Sequence, residues 1–553
     1  MLEITVQMPS GVQRTFPYGT RVSEVLNTES SKTFPEAPIG GLVNNQLTSL
    51  FYKLEVNSSV EPVFLDSGDG VRLYRNSLCF LLYLTIHELF PDRRLVIGHS
   101  LGNGYFYYFD NILSVDPKDL EAIEKRMREL VNEKLPIQRK VISYMEALDY
   151  FKQTNQPDTV QLLEQRNEVK IPVYVLGDFI DLAHGPLVPN TEVLEYFELR
   201  GYNQGFLLRY PSHRNTRQMK EFKDSPLLYS IYQEYKAWGK ILGINSVAKL
   251  NEVIYAGEVE NFIRIAETLH DKKIAEIADR IHEKRGKIRI ILVAGPSSSG
   301  KTTFTKKLAI HLKVVGFNPV VINLDNYFVP RHLNPVDENG DLDFEVLEAI
   351  DVPLLNDHLV TLFEGGTAMI PDFDFKTGSR KGDGKKLSLS ERSILIMEGI
   401  HGLNDRLTPR VPAENKYKIY VSALTQLNLD DHNRISTTDN RLLRRLVRDY
   451  QFRGYSALDT LSRWPSVRRG ENRNIFPFQD NADSAFNSAL DYELAVLKVF
   501  AEPLLKTVKP GNPLYKEAVR LLSFLNNFIA LPAVHVPELS ILREFIGHSG
   551  FKY

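Results

Sequence analysis

One cysteine, Cys79, stands in 553 residues. That excludes a disulfide within the chain and any cysteine-rich zinc site, and it suits a reducing cytoplasm. A dominant charge is missing too. The 67 Lys+Arg against 69 Asp+Glu leave a net charge of −2, so there is no chain-wide basic footprint for nucleic acid, although a local patch stays open. Long apolar runs are absent. The greasiest, LCFLLYLTIHELF from Leu78 to Phe90, is too short to span a bilayer and carries His87 and Glu88. It reads as a buried amphipathic helix. The opening MLEITVQMPSG alternates as a strand does and lacks the charged start and apolar block of a secretory signal, so a cytoplasmic protein without a membrane partner is expected. No internal repeat or low-complexity segment breaks an ordinary composition, 43% apolar and 25% charged. Such a length calls for about two to four domains.

What the chain does contain is a phosphate loop far from its start. The run IRIILVA, Ile288 to Ala294, suits a buried parallel strand. GPSSSGKTT follows, with Gly295, Gly300, Lys301 and Thr302 in the spacing G-x-x-x-x-G-K-T. Glycines let the backbone curl around phosphates, and the helix behind adds its positive end. Gly295, Pro296, Ser297, Ser298, Ser299, Gly300, Lys301, Thr302 and Thr303 are the expected ATP cradle. Lys301 reaches the β- and γ-phosphates, and the Thr302 hydroxyl is a ligand for Mg²⁺. A second strand, PVVINLDNYF from Pro319 to Phe328, delivers Asp325 to the ligand edge of the sheet, where a carboxylate can take a proton from an acceptor hydroxyl. A third, SILIMEG from Ser393 to Gly399, delivers Glu398 there as a second magnesium-side group. A turn or cap role for Asp325 and a plain strand-end role for Glu398 are the alternatives.

Next comes NRLLRRLVRDYQFRG. Arg441, Arg445 and Arg448 share one helix face, with Leu442, Leu443, Leu446 and Val447 on another. Ten arginines and no lysine lie between Arg434 and Arg473. Arginine's planar fork suits phosphate, so a mobile lid closing on the transferring phosphate is expected. An RNA-contacting patch is the competing reading.

Taken together, GPSSSGKTTF, NLDNYF, DFEVLEAIDVPLL, IPDFDFKTGSR, IMEGIHGL and RLLRRLVRDYQFRG resemble the uridine kinase and phosphoribulokinase branch of P-loop kinases. The resemblance implies a catalytic set of Asp325, Lys301 and Arg448, with Asp325 as base. It implies ATP contacts from Arg448 and Arg453, and substrate contacts from Asp325, Tyr327, Glu345, Phe373 and Arg445. Glu345 stands where the family has an aspartate on the ribose hydroxyls, and Tyr455 replaces a further lid arginine. The tyrosine and histidine with which uridine kinases read a pyrimidine are Phe373 and Gly378 here, a change that removes a donor and opens space.

Residues 1–65 resemble a TGS module, a β-grasp unit whose first hairpin turns at Pro9-Ser10-Gly11. Residues 66–245 resemble the second additional (editing) domain of threonyl-tRNA synthetase, through LYRNSLCFLLYLTIHELFP, IGHSLGNGYFYYFD and GDFIDLAHGPLVPNTEVLEYFEL. That family places two histidines, a cysteine and another histidine where this chain has Asn76, Phe80, Ala183 and Leu187. None of the four is a strong metal ligand, so an inactive domain without zinc is expected, and His184 reads as a lone histidine. A helical linker, 246–286, with apolar residues at Phe262, Ala266, Leu269, Ile274, Ile277 and Ile281, leads to the kinase region 287–510 and a C-terminal helical extension 511–553.

The expected fold is therefore multi-domain α/β and α+β, a mainly parallel P-loop kinase sheet behind a β-grasp module and an editing-like domain. The expected activity is ATP- and Mg²⁺-dependent transfer to the 5′-hydroxyl of a ribonucleoside, with uridine and cytidine first and purines open. Another acceptor of the same branch, a sugar phosphate or pantothenate, is one alternative. An RNA- or ribosome-associated regulatory NTPase is the other. RNA binding by the N-terminal region and a homo-oligomer are left open as partners.

Overall fold

The computed structural model describes residues 2–28, 36–110, 112–212, 217–336, 340, 342–374 and 377–553. They form two compact units, and these cut across the expected boundaries. The first unit gathers Met1–Glu252 with two later segments, Gln426–Ile435 and Glu502–Ile529. The second holds Val253–Thr425, Ser436–Ala501 and Ala530–Tyr553.

The first unit begins with a β-grasp sheet. Strands Glu3–Gln7 and Gln13–Pro17 form a hairpin, and Ser58–Val63 pairs parallel to the first of them. Gly11 closes the hairpin turn with a positive φ of 83° and donates to the Met8 carbonyl. Alternation along Glu3–Gln7 turns Ile4 and Val6 inward, against Val22, Val25 and Leu26 of a short helix. The long apolar run lies in the helix Gly68–Leu89, whose N-cap Ser67 accepts from Gly70 N–H. It packs in a core with a four-stranded antiparallel sheet, 95–109 and 198–209. A three-stranded antiparallel sheet, built from 138–143, 170–176 and 179–182, stands beside it. Among the described residues no helix is long and apolar enough to cross a membrane.

The second unit is the P-loop half. Its sheet uses β1 (Ile290–Ala294), β2 (Asn318–Asn323), β3 (Ser393–Glu398), β4 (Lys416–Ser422) and β5 (Ser484–Asn487), all parallel in the order β2-β3-β1-β4-β5. β1 is buried along its whole length, as a central parallel strand covered on both faces must be. The order reverses at β1, so the crevice beyond its carboxyl end is the place for a ligand. α1 (Lys301–Val314) leaves that edge, and α2 (Thr437–Arg453) and α3 (Ala457–Asn474) follow β4.

Two expectations need correction. The predicted linker is not a linker: its helix Val259–Glu283 belongs to the second unit and buries Phe262, Leu269, Ile274, Ile277 and Ile281, while Val247–Tyr255 begins in the first. The predicted C-terminal extension is likewise divided, with Tyr515–Leu525 in the first unit and 530–553 in the second. An amphipathic period shows that a helix has one apolar face, and not which core receives it.

Candidate active site

The loop between β1 and α1 is fixed by close approach. A Cβ on Gly295 would lie 1.9 Å from the Val421 carbonyl oxygen, so only glycine fits. Ser298 and Gly300 take positive φ, 57° and 80°, and turn the chain into α1. Lys301 Nζ donates to the Pro296 carbonyl at 3.1 Å, and Thr302 Oγ1 to Glu398 Oε1 at 2.8 Å. Ser297 N–H donates to Glu471 Oε1 (2.9 Å), while its Oγ accepts from Arg445 Nη1 (2.7 Å).

Carboxylates ring Lys301. β2 stops at Asn323, two residues before Asp325, and a 3₁₀ turn carries Asp325 past the strand end; Asn323 Oδ1 accepts from Asp325 N–H at 2.9 Å. Burial raises the Asp325 carboxyl above its ordinary range, with Lys301 and Arg453 opposing. Glu398 closes β3 and is pushed up to about 7 by burial, against Lys301 and the Thr302 hydroxyl. Among the described residues its Oε2 is buried without a hydrogen-bond partner. Glu345 is pushed up to about 7 by burial and by Glu471, against Arg445 and Lys301. Lys301 itself is lowered by burial, with Glu398, Glu544 and Asp325 opposing. An orphaned carboxylate oxygen beside a threonine hydroxyl is a hard-oxygen donor set, which fits magnesium; that ion takes few protein ligands and completes its shell with phosphates and water.

α2 divides its arginines by depth. Arg441 and Arg444 are buried, 1% and 0% exposed, and ion-paired to Glu471 and Glu493. They brace the loop, donating to the Ser297 and Ser298 carbonyls. Arg445, Arg448 and Arg453 instead fan around the buried Asp449, at 3.2, 2.9 and 3.5 Å. Leu442, Leu443, Leu446 and Val447 are buried, so the expected lid is here a helix seated in the core on its apolar face.

Residues 290–495 match the model of the "Phosphoribulokinase / Uridine kinase family". This part of the chain is a domain of that family. Solved structures similar to the chain include a possible uridine kinase from Bacillus stearothermophilus, 17% identical, covering 39% of this chain and 98% of that one with a TM-score of 0.25. Another is a D-glycerate 3-kinase from Cryptococcus neoformans var. grubii, 16% identical over 51% and 88%, TM-score 0.21. The N-terminal region resembles threonine–tRNA ligases. That of Janthinobacterium sp. (strain Marseille) is 34% identical over 197 residues, 35% of this chain and 31% of that one. That of Lawsonia intracellularis is 34% identical over 175 residues, 32% and 27%. The chain thus spans about a third of the length of these relatives.

Of the residues expected to contact the acceptor, Tyr327 is buried, its hydroxyl 3.1 Å from His358 Nδ1. Phe373 is buried in the domain core, its ring 5.7 Å from that of Phe328. The space expected at Gly378 is not open: a Cβ there would lie 2.7 Å from Arg331 Nε, and Gly378 holds a φ of +70°. Phe375 and Lys376 of the same stretch lie outside the described residues. Sequence reasoning missed Arg331, Asp449 and Glu471. Only Asp449 left a signal, at i+4 from Arg445 and i−4 from Arg453.

In the first unit the editing-type positions are closed over. Phe80 meets Phe179 edge-on at 5.2 Å, and Leu187 is buried with Ala183 against the same core. The loop 426–435, which precedes α2 in the chain, fills the polar remainder. His432 stacks on Tyr83 at 3.7 Å and sits 3.1 Å from Asp181 Oδ2. His184 is not alone, since it pairs with Asp430. Asp431 accepts from Thr159 N–H (2.9 Å) and from Arg94 Nη2 (2.6 Å).

Proposed function

We propose that the protein is an ATP-dependent kinase that transfers the γ-phosphate to the 5′-hydroxyl of a ribonucleoside, uridine or cytidine first. The observation that carries this is the grouping of Asp325 and Glu398 around Lys301 at the carboxyl edge of a parallel sheet, on a phosphate loop. The loop amides and Lys301 hold the phosphates. Asp325, made more basic by burial, accepts the proton of the attacking hydroxyl. Arg445, Arg448 and Arg453, gathered on Asp449, supply positive charge where the transferring phosphoryl group needs it. Glu398 and Thr302 would hold magnesium, which when bound neutralises the β- and γ-phosphate oxygens. Glu345 serves the ribose hydroxyls, so 2′-deoxynucleosides are poorer substrates.

Base choice is the weakest part of the family likeness. With Phe373 buried and Arg331 at Gly378, the pyrimidine-reading pair is absent and a guanidinium stands in its neighbourhood. The test is a panel of uridine, cytidine, adenosine, guanosine and inosine, with pantothenate and a sugar phosphate beside them, and radiolabelled ATP. A labelled 5′-monophosphate supports the reading. Label on another acceptor, or RNA-stimulated ATP hydrolysis with no labelled small molecule, refutes it.

A further inference from the structure

The first turn of α1 already carries an anion. Thr303 is the third residue of that 14-residue helix, and its N–H is among the amides that the helix cannot satisfy itself. Glu544 takes it: Oε2 accepts from Thr303 N–H at 3.0 Å and from Thr303 Oγ1 at 2.7 Å. Both donors belong to the expected ATP cradle. The carboxylate comes from the last stretch of the chain, which packs along the phosphate loop. Ile541 lies over Gly300, where a Cβ would be 2.5 Å from Ile541 Cγ2. Phe545 lies under the Arg444 guanidinium at 4.9 Å. Tyr553 brings its hydroxyl to Thr303 Oγ1 (2.7 Å) and its ring beneath Lys306 Nζ (4.2 Å).

A helix cap alone would explain one carboxylate. It does not explain two on adjacent threonines. Glu398 sits on Thr302 and Glu544 on Thr303. Among the described residues the remaining Glu398 oxygen, on a side chain more than nine-tenths buried, has no hydrogen-bond partner. A carboxylate is favourable at a helix N-terminus, and so is a phosphate, because the same free N–H groups receive either.

We propose that Glu544 and the segment 541–553 form a self-docked gate, in which the Glu544 carboxylate holds the Thr303 donor pair in place of a nucleotide phosphate and must leave when nucleotide binds. This rests on the reading of the loop as a nucleotide site. The anion-binding surface is the same for both occupants, two donors at a helix N-terminus. Exchange is therefore a competition between an intramolecular carboxylate and a free phosphate, and the strength of that carboxylate sets the apparent nucleotide affinity.

The experiment uses the full-length protein and MgADP. Titration calorimetry compares the wild type with Glu544→Gln and Glu544→Ala. Removing a charge-assisted bond worth about a factor of ten or more should tighten MgADP binding by at least about tenfold. Hydrogen exchange on the wild type gives an independent measure: saturating MgADP should speed exchange across 541–553. Unchanged or weaker binding by Glu544→Gln, with its melting temperature lowered, would make Glu544 a helix cap and overturn the gate. Slower exchange of 541–553 with MgADP would overturn it as well, since the segment would then be part of the bound site. If neither wild type nor variant binds MgADP, while both are folded, the nucleotide reading itself falls and takes the gate with it.

Discussion

The phosphate loop and the editing-type pocket are both buried polar sites, and they differ in how far their charges are paired. Around Lys301, Asp325, Glu345 and Glu398 are held above their ordinary ranges, and a Glu398 oxygen is left without a partner. In the pocket, His184 pairs with Asp430, His432 faces Asp181, and Asp431 is bonded by Arg94 and Thr159. Burial would raise the Asp430 carboxyl, yet His184 and Asn433 hold it down at about 2. A site that awaits a ligand keeps uncompensated charge, which is costly without that ligand. In the pocket the residues 426–435 bring the partners, although burial still raises Asp431.

The largest effect should come from the outer arginines. Arg448→Ala should lower turnover about a thousandfold, the lower end for arginines that stabilise a phosphoryl transition state. The melting temperature should barely move, because Arg448 is partly exposed and bonded only beside Asp449. An RNA patch predicts intact small-molecule turnover with lost, salt-sensitive RNA binding. Measuring both on one variant separates the two. Asp325→Asn should come next, with turnover reduced by about a hundredfold and ATP binding retained, the scale of a general base. Near-full turnover on the true acceptor would remove Asp325 from that role.

Glu398 tests the cost of an unmatched charge directly. Its folded value of about 7 lies above the ordinary 4.5. The folded state therefore binds more protons than the unfolded state between these values, and the ionised carboxylate lowers stability as pH rises through that window. Glu398→Gln should stabilise the nucleotide-free protein by on the order of 2–3 kcal/mol at pH 8, and by little at pH 4.5. Urea titrations at both values check this. The same variant should lose magnesium-dependent turnover. A destabilised Glu398→Gln at pH 8 would mean that Glu398 is matched after all.

Much of this was legible in the sequence, and the limits have physical reasons. The spacing G-x-x-x-x-G-K-T fixes a strand, a loop and a helix locally, and each stands where expected. Strand β2 stops at Asn323, short of the expected Phe328, because Asn323 caps the following turn with its own side chain and ends the ladder before Asp325. Leu442, Leu443, Leu446 and Val447 announced an apolar face on α2. The burial of Arg441 and Arg444 was invisible, since Glu471 and Glu493 lie 30 and 49 residues away. Loss of the editing ligands at Asn76, Phe80, Ala183 and Leu187 could be read position by position. What fills the vacated space comes from residues 426–435, and a single sequence carries no signal for so distant a pairing.

The smallest effect should lie in the filled pocket, and its sign depends on pH. Burial opposes charge on His432, yet Asp181, Asp431 and Asp430 together raise it above the ordinary 6.5. A histidine raised in the folded state adds stability that is complete below its unfolded value and is lost as pH rises through its folded value. His432→Phe keeps a ring on Tyr83 and removes the titrating charge together with the Asp181 contact. At pH 6 the variant should be less stable by about 1.5–3 kcal/mol, the scale of a buried polar contact with a charged group. As pH rises through that folded value the wild-type advantage should fade, so the gap at pH 9 should be smaller than at pH 6. Zinc content and phosphoryl transfer should stay as they were at both values. Equal destabilisation at pH 6 and pH 9 would show that the ring's shape, and not its charge, seals the pocket, and the contrast between matched and unmatched sites would then rest on the phosphate loop alone.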